Sequence, residues 1–242
     1  AELFGNADPV ETSNGQAYIV NDLKFPYSFY APKRDLDARS YYESADNNCV
    51  PSSRTWSLKS HLSITDPETG EETASRDSTY KYSYLVMTNK SATAHPGAFF
   101  QLNNTLSCTY DIYVVIGYNY DAQLQNKFRV YISYDTDAKR ISNEVLKNPN
   151  EDMISPKGEN LHNTNFYVNK KPQPDENLVM NYTDTILVAK DFRFPVSYYG
   201  LNNAYPTIQI KSNFSSKEKE YYSREIWVNA IIMKPKESMR SE

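Results

Sequence analysis

Glycine is scarce in this chain: seven residues among 242, at positions 5, 15, 70, 97, 117, 158 and 200, with no two closer than ten residues. A loop that cradles phosphate needs glycines at short fixed spacing so that backbone amides can close on the anion. The phosphate-binding loop and the dinucleotide-binding turn are therefore both excluded. The same spacing excludes the nucleophile elbow, which sets its serine between two nearby glycines. Histidine is rarer still, with His61, His95 and His162 far apart, and the paired-histidine zinc signature is missing. Cysteine is limited to Cys49 and Cys108. Neither has a cysteine three residues away or a histidine beside it, which disfavours zinc and thiol redox chemistry. No catalytic residue is assigned, no metal ligand is assigned, and no cofactor is expected.

Long apolar runs are missing too. The most apolar windows, Ile112–Ile116 and Ala230–Met233, are strand-sized, against the ~20 residues that a bilayer-crossing helix needs. Direct membrane insertion by this chain is not expected. A charged start followed by an apolar run is also absent, so an export signal is expected upstream of Ala1. The net charge is -4, with 26 basic and 30 acidic residues mixed along the chain. That balance gives no long-range attraction for a polyanion, so nucleic acid is not an expected partner.

What is present is material for sheets. Apolar residues make up 39% of the chain and include 21 Tyr and 10 Phe, enough for a core despite a mean hydropathy of -0.70. Apolar and polar residues alternate over strand lengths. In KFRVYISY, Phe128, Val130 and Ile132 face one way while Arg129, Tyr131 and Ser133 face the other. TIQIK repeats the pattern with Ile208 and Ile210 inward. In REIWVNAIIM the alternation predicts Ile226, Val228, Ala230 and Ile232 inward, with Trp227, Asn229 and Ile231 opposite. WSLKSHLSI, TYKYSYLVMT, GAFFQL, TYDIYVVIGY and DTILVAKDFRFP are rich in the β-branched and aromatic residues that suit a pleated surface. One short stretch, Asp137 to Lys147, reads as helix. Many short strands and almost no helix predict an all-β fold, an antiparallel two-sheet β-sandwich of the jelly-roll or galactose-binding-like kind. The insert Asp66–Ser78 and the segment Asn148–Asn163, with Pro149, Pro156 and Gly158, read as mobile loops.

Candidate sites are few. Asp111 and Asp184 open strands and read as strand-edge acids. The pairs Asp35/Asp37 and Asp135/Asp137 offer oxygen to calcium but lack the glycine and glutamate of a calcium loop, so solvated turn acids is the plainer reading. Cys49 and Cys108 either pair, closing a loop worth ~4 kcal/mol by chain entropy, or remain two buried thiols. The aromatics are more suggestive. Tyr27, Phe29, Tyr30, Tyr41 and Tyr42 cluster early, while Tyr198, Tyr199 and Tyr205 sit in the turn-like SYYGLNNAYP. A sugar presents an apolar face to an aromatic plane, and loops at sandwich ends commonly carry sites. Tyr198, Tyr199, Tyr205 and Tyr30 are therefore the predicted glycan-binding residues, although tyrosine is also an ordinary half-buried strand residue.

The succession LSCTYDIYVVI, KFRVYISYD, DTILVAKDFRFPVSYYGLNNAYPTIQIKSN and REIWVNAIIMKPKE resembles the C-terminal sandwich domain of Bacteroidetes surface lipoproteins that carry fasciclin repeats. The resemblance covers about Leu106 to Glu237. It implies export, a lipid anchor far upstream, display on the bacterial cell surface or in the periplasm, and a part in cell adhesion. It assigns no site residue. SNGQAYIVND, from Ser13 to Asp22, looks either like the closing strand of an upstream fasciclin module or like the first strand of the sandwich. Residues 1–22 are thus read as a leader or upstream tail and 23–242 as the sandwich. The functional expectation is a non-catalytic adhesion or glycan-binding module whose partners are a glycan, a surface protein and its own upstream modules. The alternatives are a spacer without a ligand and a polysaccharide hydrolase working through two carboxylates.

Overall fold

The alternating segments become strands in a computed structural model, which describes residues 9–13, 15–18, 34–37, 41–42, 54–60, 63–65, 72–74, 83–89, 95, 97–102, 105–118, 123–135, 141–172, 183–198 and 205–236. Early in the chain lie β1 (Pro9–Thr12), β2 (Gly15–Tyr18), β3 (Arg34–Asp37), β4 (Tyr41–Tyr42), β5 (Arg54–Ser60), β6 (Ser63–Thr65) and β7 (Glu72–Ala74). Then follow β8 (Ser83–Asn89), β9 (Gly97–Gln101), β10 (Thr109–Gly117), β11 (Lys127–Asp135), β12 (Ile141–Val145), β13 (Tyr167–Val168), β14 (Thr183–Arg193), β15 (Thr207–Ser212) and β16 (Ile226–Pro235). Among the described residues the helical content is one 3-10 turn at Ser216–Glu218.

Two six-stranded antiparallel sheets hold most of these strands. The first runs β14-β10-β16-β8-β5 with β3 also beside β16, and the second runs β12-β11-β15-β9-β4 with β13 also beside β11. From β8 onward the chain crosses between sheets at almost every connection, the winding of a jelly roll. The predicted fold class is therefore the observed one. β1–β2 and β6–β7 are separate hairpins. Gly15–Tyr18, read as a first sandwich strand or the end of an upstream module, pairs with β1.

The core lies between the sheets. Ala98, Phe100, Phe128, Val130, Ile132, Ile208 and Ile210 from the second sheet meet Leu85, Met87, Ile112, Val114, Ile116 and Val188 from the first, all with zero exposure. Each such side chain stabilises the fold by ~1.5–3 kcal/mol through removal from water.

Two expectations fail for identifiable reasons. Of the stretch Asp137 to Lys147 the described part, from Ile141 on, is not helical: Ile141–Val145 forms β12, which pairs with β11 from Tyr131↔Val145 to Asp135↔Ile141. An adjacent strand with open hydrogen-bonding groups outweighs the weak local preference. In β16 the alternation breaks. Val115 pairs with Ala230 and Ile116 with Val228, leaving Asn229 as an extra residue. A bulge of this kind reverses the facing of everything beyond it. Ile226 and Val228 point inward as predicted, but Ile231 and Met233, not Ala230 and Ile232, continue the core. Ala230 is buried outside that cluster and Ile232 is half-exposed. Trp227 lies on the opposite face as predicted, buried against Val86.

A second irregularity bends β14 near Asp191, which has φ 56°. The left-handed conformation is uncommon for a residue with a side chain, though Asp tolerates it. Asp111 Oδ1 accepts the Asp191 N–H at 3.0 Å, and Lys236 Nζ reaches Asp191 at 2.6 Å and Asp111 at 3.2 Å. Asp111 is thus a structural acid, as the sequence suggested.

The segment after β12 is closely tied. Ser155-Pro156-Lys157-Gly158 makes a turn closed by Gly158 N–H to Ser155 O at 2.9 Å, and Gly158 has φ 83°, which glycine adopts without a side-chain clash. Asn148, wholly buried, accepts from Asn150 at 2.9 Å and donates to Phe166 O at 2.9 Å. The expectation of a mobile loop at Asn148–Asn163 is corrected by this network. The segment also covers the open edge of β14: Tyr167 O–H donates to Val188 O at 2.9 Å and Asn150 Nδ2 to Leu187 O at 2.8 Å, satisfying carbonyls that an edge strand leaves bare. Of the Asp66–Ser78 insert, β7 is described; its other residues lie outside the described residues.

The bulge makes a sharp prediction. Ile231→Ala should cost about 3 kcal/mol in urea unfolding, and Ile232→Ala under about 1 kcal/mol. An unbroken alternation would reverse that order.

Candidate functional site on the outer face of the second sheet

Of the aromatics that the sequence put forward, Tyr198 is displaced from the role by its burial. It is 1% exposed, its ring stands edge-on to Phe194 at 5.9 Å, and its O–H donates to the Asp135 carbonyl. Burial and the neighbouring Asp135 and Tyr134 push its phenol up to about 12. Its N–H is held by Thr105 O at 2.7 Å. Tyr198 therefore closes one end of the core and presents no surface to a sugar. Tyr205 is half-buried and packs on the same core. Tyr199 and Tyr30 lie outside the described residues, as do Cys49 and Asp137. Cys108 is a buried free thiol. Among the described residues no group of three or more metal-ligating side chains assembles.

The aromatic surface lies elsewhere. In the second sheet, β15 sits between β11 and β9. Residues opposite one another across strands share a face, so the register writes a grid on the outer side. Arg129 stands opposite Lys211, and Lys211 opposite Gly97. The next row is Tyr131, Gln209 and Phe99, and the third is Ser133, Thr207 and Gln101. Rows are about 7 Å apart and neighbours within a row about 4.8 Å. Apart from the buried Gly97, these residues are half-buried. Val145 and Asn143 of β12 extend the second and third rows.

Gly97 shapes this surface. A Cβ there would sit 3.3 Å from Gln209 Nε2 and 3.2 Å from Ile210 O. The missing side chain leaves the space over Gly97 to the Gln209 amide.

One end of the grid is basic. Lys127 and Arg129, on β11, stack on the Phe166 ring at 4.5 and 4.4 Å. Lys127 Nζ is paired with Glu218 at 2.9 Å, and Lys157 reaches the same oxygen at 2.9 Å. Burial pushes the Glu218 carboxyl up, but the Ser215 amide and the two lysines outweigh it and hold it at about 2. Half-buried His95 precedes β9, and burial together with Lys211 and Arg129 lowers its pKa. None of these outward residues was singled out from the sequence. The alternation in KFRVYISY and TIQIK placed Arg129, Tyr131 and Ser133 outward, but only strand pairing brings them beside Gln209 and Phe99.

A second concavity, a cleft of about 240 Å³, lies at the β14 edge between Asn150, Glu151, Asp152, Lys170 and Asp184. Burial raises the pKa of Asp184, while its Oδ2 accepts the Lys170 N–H at 2.7 Å, which opposes the shift. Glu151 and Asp152 are exposed on the rim. A glycosidase pair needs one protonated and one ionised carboxyl facing the same sugar, whereas here half-buried Asp184 has an oxygen turned to the backbone.

No family model matches the chain and no curated protein is similar to it. Among solved structures it is similar to the CBM22-1–GH10 modules of Clostridium thermocellum endo-1,4-β-D-xylanase 10B complexed with xylohexaose, at 9% identity and TM-score 0.40 over 84% of this chain and 27% of that one. It is similar to a xylan-binding domain from CBM 22, at 10% identity and TM-score 0.36 over 81% of this chain and 95% of that one. The Agl-KA catalytic domain is also similar, at 10% identity and TM-score 0.35 over 88% and 29%. The chain thus spans about a quarter of the first of these structures. At these TM-scores the likenesses carry nothing about ligand or activity.

The Glu218 anchor gives a pH prediction. Its folded pKa is depressed, so its stabilisation is present above the unfolded carboxylate value and is lost as pH falls from about 4.5 to about 2. Glu218→Gln should destabilise by about 1–2 kcal/mol at pH 7, with the gap to the parent closing over that acid window. Thermal melts at pH 7, 4 and 2.5 check this; a gap independent of pH would contradict it.

Proposed function

We propose that this protein is a non-catalytic, exported surface module that holds a polysaccharide chain against the outer face of its second sheet. The observation that carries the reading is the row Tyr131–Gln209–Phe99. Two aromatic residues flank Gln209 in the register, and its amide lies over Gly97 in the adjoining row. A sugar ring has an apolar face that stacks on an aromatic plane and a rim of hydroxyls that amides and alcohols bond. Gln209, Gln101, Thr207 and Ser133 supply that polar set between and beside the rings. A broad grid on an open sheet face suits an extended chain, which contacts several rows at once, better than a small solute, which needs enclosure.

Display at a bacterial surface and a part in adhesion follow from the resemblance to fasciclin-bearing lipoproteins, and they fit this reading: a module that grips glycan is useful at the end of a tethered protein. The grid replaces the SYYGLNNAYP loop as the proposed anchor.

A thermal-shift panel of xylan, mannan and mixed-linkage β-glucan, with and without calcium, tests the reading. At least one glycan should raise the melting temperature in proportion to RT ln(1 + [L]/Kd). Tyr131→Ala and Phe99→Ala should each bind that glycan roughly tenfold more weakly while melting cooperatively. A panel without any shift, or variants that bind like the parent, would overturn it.

A further inference from the structure

Arg129 and Lys211 stand directly opposite each other on β11 and β15. Like charges in that position destabilise a sheet, so a fold with no use for them would neutralise or replace one. The neighbouring lysine shows what neutralisation looks like here. Lys127, two residues away on the same strand face, is held by Glu218 at 2.9 Å. Among the described residues no carboxylate pairs with Arg129 or Lys211. The one acid on the outer side of β11 is Asp135, about 20 Å along the strand from Arg129.

Arg129 is also poised. Its guanidinium lies over the Phe166 ring at 4.4 Å, which fixes its plane, and its Nε is buried without a hydrogen-bond partner. A buried donor without an acceptor costs free energy, and a charged one costs more. Beside Lys211 on the other side is Gly97, which brings no side chain and no charge to the row. His95 adds a third nitrogen-bearing side chain close enough to both cations to feel their charge. The chain as a whole carries a net charge of -4, so attraction for an anion here is local and not a property of the whole surface.

We infer that Arg129 and Lys211 form an anion subsite at one end of the glycan grid, taking the carboxylate of a uronic acid or the sulfate of a sulfated sugar. This rests on the glycan reading above. A planar guanidinium matches either oxyanion through paired N–H donors, and a lysine opposite it closes the charge. Bound next to the Tyr131–Gln209–Phe99 row, such a group would belong to a sugar whose neighbour in the chain stacks on the rings.

The test uses matched pairs of oligosaccharides at 0.15 M salt: an oligogalacturonide against its carboxyl-reduced form, and a carrageenan oligosaccharide against its desulfated form. Calorimetric titration of the parent should show the acidic member of at least one pair binding tenfold or more tightly than its neutral counterpart. The responding pair identifies carboxylate or sulfate. Arg129→Gln and Lys211→Gln should each bring the acidic member down towards the neutral one while leaving the neutral affinity unchanged. Lys190→Gln, which removes an exposed charge on β14, should change neither. Cooperative melting of each variant shows that it is folded, and Lys211→Gln carries the test alone if loss of the Arg129 contact to Phe166 unfolds the chain. Equal binding of acidic and neutral members, variants with parent affinity, or a Lys190→Gln loss as large as that of Lys211→Gln would overturn the anion subsite and leave the glycan platform standing. Binding of no member of either pair would overturn the anion subsite, and the platform itself falls only if xylan, mannan and β-glucan fail to bind as well.

Discussion

The register among β11, β15 and β9 governs the rest of the molecule's useful surface. Phe128, Val130, Ile132, Ile208, Ile210, Ala98 and Phe100 have no exposure at all, and they sit on one side of a pleat with a period of two. A slip of a single residue would turn these seven side chains to water, at ~1.5–3 kcal/mol each. The pairing is therefore held firmly, and the residues between them have no choice of side. Tyr131, Gln209 and Phe99 face outward in one row because their neighbours must face inward.

Elsewhere the fold accommodates twist and edges without disturbing that register. The extra residue Asn229 in β16 and the left-handed Asp191 in β14 both fall in the first sheet, so the irregularities are kept away from the grid. The open edge of β14 is closed by Tyr167 and Asn150 from the segment after β12. That segment also supplies Phe166, on which the basic end of the grid rests. Sealing an edge and supporting a surface are thus done by one stretch of chain. Glu218, holding both Lys127 and Lys157, ties the 3-10 turn to the same corner. Among the described residues Lys127 and Lys157 are paired through Glu218, whereas no carboxylate pairs with Arg129 or Lys211.

The two-sheet architecture was readable because strand pattern and core pattern coincide in KFRVYISY and TIQIK, where every second residue is both apolar and buried. REIWVNAIIM misled for the opposite reason: a bulge is decided by the partner strand, and nothing in the ten residues shows where Val115 and Ile116 will sit. The stretch before Lys147 looked helical in isolation, but β11 offered it a ladder. Tyr198 reads as exposed because it sits in the turn-like SYYGLNNAYP; its ring instead fills the end of the core. The grid could not be read at all from sequence, since Phe99, Tyr131 and Gln209 come from three distant segments and each looks like an ordinary strand residue. A signal was there, in the outward Arg129 and Tyr131, but its meaning depended on which strands lay beside them.

The most direct check on the outer-face platform is an amide chemical-shift titration of isotope-labelled protein with whichever saccharide raises its melting temperature. The account predicts that the perturbed amides cluster on β11, β15 and β9 around Arg129, Tyr131, Gln209 and Phe99. Perturbations confined instead to the β14 edge, around Glu151, Lys170 and Asp184, would contradict it and place the ligand in the cleft.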